Sequence, residues 1–248
     1  MNIINELYNG DIKLKFDTLK HQYSIDGRII PGATSILGIV AKNSLIYWSA
    51  GCAADYFRER IEPGKVYDEV ELDNIYRNAK KAHTVFKDDA ASIGKITHKW
   101  VQDYIEGKNP SSPINEQVRK SVDKFLAWVK KHSVTFLLSE QPCYSIKYDY
   151  CGTLDFICKI DGKLYLGDLK TNNAMYKNSM GSQCAAYKMC REEEYGENYA
   201  GIVVCRVGKE EGDFESWICE DTKIFEENFL NCLALYKSEE QIKLEFGK

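Results

Sequence analysis

No apolar run in this 248-residue chain reaches the roughly 18 residues that a membrane span needs. Nor does a basic stretch open it. The N-terminus reads Met-Asn-Ile-Ile-Asn-Glu, so neither a secretory signal nor an Arg-rich transit peptide is visible. None of the nine cysteines forms a Cys-x-x-Cys pair, which speaks against zinc and iron–sulfur sites, whose ligands come at tight paired spacing. An odd number of unclustered cysteines reads as reduced thiols, several of them buried, in a cytoplasmic protein. Internal repeats and low-complexity segments are lacking too. A net charge of -4 does not advertise nucleic-acid binding.

A hydrophobic content of 44% and an aromatic content of 12% suit a sizeable core, and the length suits one large domain or a core with an appendage. Charge is unevenly spread. Residues 190–248 carry 7 basic and 15 acidic groups, so the excess positive charge lies upstream. It gathers at Arg77–Lys99 and Arg119–Lys131, which are either phosphate-tracking faces or simply solvated helix faces.

Gly107-Lys-Asn-Pro-Ser-Ser-Pro113 is the clearest linker. It separates residues 1–110, expected to be mostly helical, from a core at 111–248. Before it, a short hairpin is expected at 12–17 and 21–26, with Asp26-Gly27 as a turn. A short helix is expected over 35–40, opened by Pro31-Gly32. Further helices are expected from an N-cap at Ser44 to about Ile61, over 69–92, and from Gly94 to Ile105. After it come a helix at 113–132, strands at 134–140, 143–148, 151–160 and 163–170, a helix at 179–195, strands at 199–207 and 213–219, and a helix at 222–245. The fold class is therefore α/β (α+β), a mixed central sheet flanked by helices.

The stretch from Gly152 to Thr171 is the most informative. Asp161-Gly162 is a strong two-residue hairpin signal, because both positions need positive φ. That turn pairs Ile160 with Lys163, so partners sum to 323, and Asp155 and Asp168 meet that sum. The two carboxylates should face each other with Cβ atoms roughly 5 Å apart, and Lys170 should project from the same face. Two like charges there are destabilising unless a cation lies between them. A structural salt-bridge cluster is the plainer alternative.

Gly-Thr-Leu-Asp155 followed by Asp168-Leu-Lys170-Thr171 resembles the PD-(D/E)xK nuclease superfamily, in its RecB-like branch. That branch includes phage-type exonucleases and mitochondrial genome maintenance exonucleases. Gly94-Lys-Ile-Thr-His98 looks like the branch's Gly-x-x-x-His. Glu140 falls on the preceding strand, where a Glu is frequent. Gln183-Cys-Ala-Ala-Tyr187 looks like its Gln-x-x-x-Tyr, and Pro31-Gly-Ala-Thr34-Ser35 is similar to a stretch near the start of phage-type members.

The resemblance implies a restriction-endonuclease-like core and a metal-dependent DNA nuclease, bacterial or phage-encoded. The expected activity is that of an exonuclease acting on free, single-stranded ends in replication, recombination or repair. Mg²⁺ or Mn²⁺ would be held by His98, Asp155, Asp168 and the Leu169 backbone carbonyl. Lys170 would activate water and offset developing charge, with Asp155, Asp168 and Glu140 completing the catalytic set. Gln183, Tyr187, Thr171, Thr34 and Ser35 would touch DNA. The acidic C-terminal region would suit a recombination or replication partner. The alternative readings are a structure-specific endonuclease and a catalytically silent nucleic-acid-binding or partner-docking protein. Trp48, Tyr56 and Trp100 are either base-stacking residues or core aromatics.

Overall fold

Period-2 alternation such as Ile12-Lys-Leu-Lys-Phe16 puts one apolar face on each strand of an N-terminal sheet. In a computed structural model, β1 (Asn2–Leu7), β2 (Ile12–Asp17), β3 (Gln22–Ile25) and β4 (Arg28–Ile30) pair in that order, all antiparallel. Asp26 (φ 49°) and Gly27 (φ 81°) make the expected turn. Leu7, Leu14, Ile25 and Ile30 bury their face against Tyr144 and Cys151. The chain therefore begins as a small antiparallel sheet, not as a mostly helical region. The alternation in β1 is weak, and pairing with β2 is what makes it a strand.

The structure describes residues 2–41, 43–171, 174–208 and 213–247, without the side chains of 43, 44, 86–94 and 117. It divides into two units, Ala41–Lys95 on one side and Met1–Val40 with Ile96–Lys248 on the other. After the short α1 (Ala33–Leu37), the Ala41–Lys95 unit contains α2 (Asn43–Arg60) and the first part of α3 (Glu69–Ile105). Ser44 lies inside α2 rather than capping it, and α3 runs unbroken through Gly94. One helical glycine costs about 1 kcal/mol, too little to break a helix of 37 residues.

The larger unit holds α4 (Glu116–Lys131), β5 (Thr135–Ser145), β6 (Tyr150–Ile160), β7 (Lys163–Lys170), α5 (Lys177–Tyr195), β8 (Gly201–Val207), β9 (Phe214–Cys219) and α6 (Lys223–Phe246). Asn115 caps α4, its side chain accepting the Val118 N–H at 3.1 Å. The sheet order is β5-β6-β7-β8-β9. Only β7 and β8 run parallel, joined by the α5 crossover that parallel strands require. The strands expected at 134–140 and 143–148 are one strand, β5. Pro142 does not interrupt it, because β5 lies at the sheet edge, where a missing N–H is tolerated.

Both faces of the sheet are covered. Ile157, Leu166, Ile202 and Val204 pack against Cys184 and Tyr187 of α5 and Phe229 of α6. Phe156, Cys158, Tyr165, Leu169 and Val203 pack against Phe125, Trp128 and Val129 of α4 and Val101 of α3. Leu154, two residues before Phe156, joins the α5 side instead. The alternation thus shifts at the site residues.

Gly167 stands opposite Phe156, and a Cβ there would fall inside the Phe156 ring. Gly167→Ala should therefore destabilise the protein by about 1–3 kcal/mol through overpacking. Urea denaturation reads this directly, and an unchanged midpoint would mean the ring has room to move. Among the described residues, no helix is long and apolar enough to cross a membrane.

Candidate metal centre

The β6–β7 hairpin positions the centre. Asp161 (φ 50°) and Gly162 (φ 81°) form the turn, and the register runs from Ile160↔Lys163 to Phe156↔Gly167. The next residues along are Asp155 and Asp168. Here the ladder opens, and the Leu169 N–H donates to Asp155 Oδ2 at 2.7 Å. The neighbouring β5–β6 ladder pairs Ser139 with Phe156 and Gln141 with Leu154. Glu140 therefore falls opposite Asp155, and three carboxylates stand at one level across β5, β6 and β7.

Glu140 has φ 48°, an uncommon left-handed conformation for a glutamate. This is a local strain of about 1–3 kcal/mol on an edge strand whose register with β6 also shifts between Phe136 and Leu138. His98, on the last turns of α3, comes between the carboxylates. Its Nε2 is 3.4 Å from Asp155 Oδ2 and its Nδ1 is 3.7 Å from Glu140 Oε1. Ligand atoms of His98, Glu140 and Asp155 all lie within 4.8 Å of one another. They line a cavity of about 10 Å³ with Ser139, Gln102 and Leu169, close to the room one water needs.

Asp168 plays a different geometric part from the one its sequence position suggested. It is buried, and Lys170 Nζ sits 2.7 Å from its carboxylate oxygens. Gln183 Nε2 lies 3.3 Å from Asp168 Oδ1 and 3.2 Å from the Tyr187 hydroxyl. The close triad thus contains Glu140, while Asp168 is bound to Lys170 beside it. Asp168 Oδ2 nevertheless lacks a well-aligned hydrogen bond. The Lys170 ammonium, 2.7 Å from that same oxygen, supplies the positive charge that a buried carboxylate requires.

The electrostatics separate the two aspartates. Burial pushes the Asp168 carboxyl up to about 6, against the pull of Lys170 and with the help of the Asp155 charge. Burial also opposes the Asp155 charge, but the His98 hydrogen bond and the Lys170 charge outweigh it and lower that group. Lys170 behaves in parallel. Burial disfavours its ammonium, yet Asp168 and Asp155 hold it charged well above its ordinary value. The hydrogen bond to Asp155 raises His98, over the opposition of burial. Burial and the Asp155 charge raise Glu140. Carboxylates whose environments push them apart in this way are a mark of functional sites.

The other site candidates are spread more widely. Tyr187 is buried with its ring against Gly152, where a Cβ would collide with it. Gln183 and Tyr187 therefore sit behind Asp168 rather than on an open surface. Thr171 is half-buried just beyond Lys170. Thr34 and Ser35 face solvent from α1, while Ala33 and Ile36 bury the opposite side of that helix. Two cavity residues, Ser139 and Gln102, carry no motif in the sequence. Gln102 lies one helical turn after His98 and was detectable by that spacing alone. Trp100 is half-buried and packs on its own helix. It lies parallel to Tyr104 at 5.7 Å, and its indole N–H donates to the Ser111 carbonyl at 2.8 Å.

The donor set is one imidazole plus carboxylates, without thiolates. It fits a divalent ion that prefers oxygen with some nitrogen, and the buried Asp168 Oδ2 offers a further oxygen.

No family model matches this sequence, and no curated protein matches it. Among solved structures, the chain is similar to a crystal structure named "Putative exonuclease" from Eubacterium rectale, with 12% sequence identity and a TM-score of 0.42, over 63% of this chain and 69% of that one.

Proposed function

We propose that this chain is a metal-dependent DNA nuclease of the RecB-like PD-(D/E)xK type, hydrolysing phosphodiester bonds from free, single-stranded DNA ends. One observation carries the reading. His98, Glu140 and Asp155 converge to ligand distance immediately beside a buried, charged Lys170–Asp168 pair. A purely structural salt bridge has no use for the adjoining imidazole–carboxylate triad.

A divalent ion, Mg²⁺ or Mn²⁺, would supply Lewis-acid stabilisation of the phosphate and a lowered pKa for water when bound. His98, Glu140 and Asp155 would hold it, with Asp168 as a further carboxylate. The Leu169 carbonyl lies on the same edge of β7 as the N–H that Asp155 accepts, and so faces the opening between β6 and β7. Lys170 is kept as an ammonium by Asp168, fixed at 2.7 Å. It donates to the attacking water and offsets the charge that grows on the phosphate oxygens. Gln183 holds the Asp168 carboxylate in place, and Tyr187 holds Gln183. These two are positioning residues.

The test is a digestion panel of 5′- and 3′-labelled single strands, duplexes and closed circles, with Mg²⁺ and Mn²⁺. Labelled single strands should be degraded and closed circles spared. Cleavage of circles identifies an endonuclease, and no cleavage of any substrate removes the nuclease reading.

Metal binding should also depend on pH. Binding needs a neutral imidazole and ionised carboxylates, and both His98 and Glu140 hold their protons to higher pH than usual. Acid therefore competes with the ion, and affinity should rise with pH until His98 is neutral. Calorimetry with Mn²⁺ should show about tenfold tighter binding at pH 8 than at pH 6, with protons released to the buffer. A flat profile would exclude His98 from the ligand set.

A further inference from the structure

The Ala41–Lys95 unit is built the wrong way round for a helical hairpin with a hydrophobic core. Among the described residues, its buried apolar positions are small, Cys52 on α2 with Ala79 and Ala82 on α3. Three of its aromatics are exposed, while Tyr56, Phe57 and Tyr67 are half-buried. Tyr47 is 78% exposed, Tyr76 52% and Trp48 43%. Aromatics at helical spacing normally fill a core, so an exposed group of them calls for a ligand.

Two of these aromatics carry side-chain contacts. Tyr76, Lys80 and His83 fall at i, i+4 and i+7, on one face of α3. Lys80 Nζ lies 5.2 Å from the Tyr76 ring centroid, and the Trp48 and His83 rings meet edge-on at 6.5 Å. Both residues remain exposed beside these contacts. Lys80 and Lys81 have no carboxylate at ion-pair distance among the described residues.

We infer that the strip Trp48–His83–Lys80–Tyr76 is a binding surface for single-stranded nucleic acid. Bases stack on the exposed Trp48 and Tyr76, and Lys80 and Lys81 meet the phosphates. Alternating π-faces and unpaired cations are what an unpaired strand offers partners for. A folded protein partner would call for a larger, continuous apolar patch with fewer unpaired cations. Duplex DNA hides its base faces and would gain only the lysine contacts. The choice of ligand rests on the nucleic-acid reading of the metal centre.

The experiment measures binding of fluorescein-labelled oligo(dT), about 15 nucleotides long, to the full chain in EDTA, where no divalent ion supports cleavage. Anisotropy gives the affinity and tryptophan emission gives stacking. Trp48→Ala and Tyr76→Ala should each weaken binding about tenfold, while Trp48→Phe keeps most of it. Quenching of tryptophan emission by the oligonucleotide should disappear in Trp48→Ala. Lys80→Glu, at an exposed position of α3, should weaken binding. It should also reduce the slope of log affinity against log salt by about 0.7 for each phosphate that is no longer neutralised.

Wild-type protein that binds no oligonucleotide at low salt, as a protein-docking face would behave, overturns the inference. So does wild-type affinity in natively folded Trp48→Ala and Tyr76→Ala, or an unchanged salt slope in Lys80→Glu. Failed digestion with intact quenching would remove the nuclease reading and leave the strip standing. Digestion without any effect of the strip variants would do the reverse.

Discussion

Lys170→Met should lower the rate of single-strand cleavage by about 10³-fold while leaving the affinity for DNA unchanged. Methionine keeps most of the stem and removes the ammonium. The split matters, because a residue that merely held the fold together would change binding and turnover alike. The substitution also leaves Asp168 buried without its partner, and losing one member of a buried pair costs about 3–5 kcal/mol.

The sign of the accompanying pH effect follows from Asp168. Its folded-state pKa is already raised to about 6, and removing Lys170 takes away a lowering influence and raises it further. A group raised on folding stabilises the protein below its unfolded pKa, near 4, and loses that contribution as pH climbs through the folded value. The melting temperature of Lys170→Met should therefore fall further below wild type at pH 8 than at pH 5. Equal losses at both pH values would mean that Asp168 is not the group left behind. Undiminished degradation of labelled DNA would remove Lys170 from the mechanism.

Asp155→Asn should weaken divalent-ion binding by more than about a hundredfold, since even outer-shell changes cost up to that much. The substitution is small. An asparagine oxygen can still accept the Leu169 N–H that Asp155 accepts at 2.7 Å, so the β6–β7 junction should keep its shape and the protein most of its stability. The charge is lost, and with it the main influence raising His98. The imidazole should titrate lower in the variant, which NMR of the His98 ring reads without any metal present. Unchanged Mn²⁺ affinity by calorimetry would refute the site, and an unmoved His98 titration would refute the Asp155–His98 contact.

Several parts of this architecture were legible in the residues. Asp161-Gly162 demands a two-residue turn, and a two-residue turn dictates every pairing along β6 and β7. The Asp155–Asp168 level and the neighbouring Lys170 follow from it. The order of helices and strands after residue 113 followed in the same way from periodicity and turn residues. Glu140 shows where such reading stops. With residues 134–148 divided into two strands, its register to Asp155 was lost. In the single strand β5, the four-residue connection between Ser145 and Tyr150 restores it. Its left-handed backbone has no sequence signature at all, since glutamate does not favour positive φ.

Residue order alone accounts for what is local: the hairpin turn, the side-chain alternation it propagates, and the residue types gathered on one sheet face. The ligand-distance contacts of His98 with Glu140 and Asp155, and the burial of Asp168 against Lys170, come from tertiary packing. Periodicity orients a side chain within its own element. Which oxygen meets which nitrogen depends on how helix and sheet pack, and on where burial makes an unpaired charge too costly to leave alone.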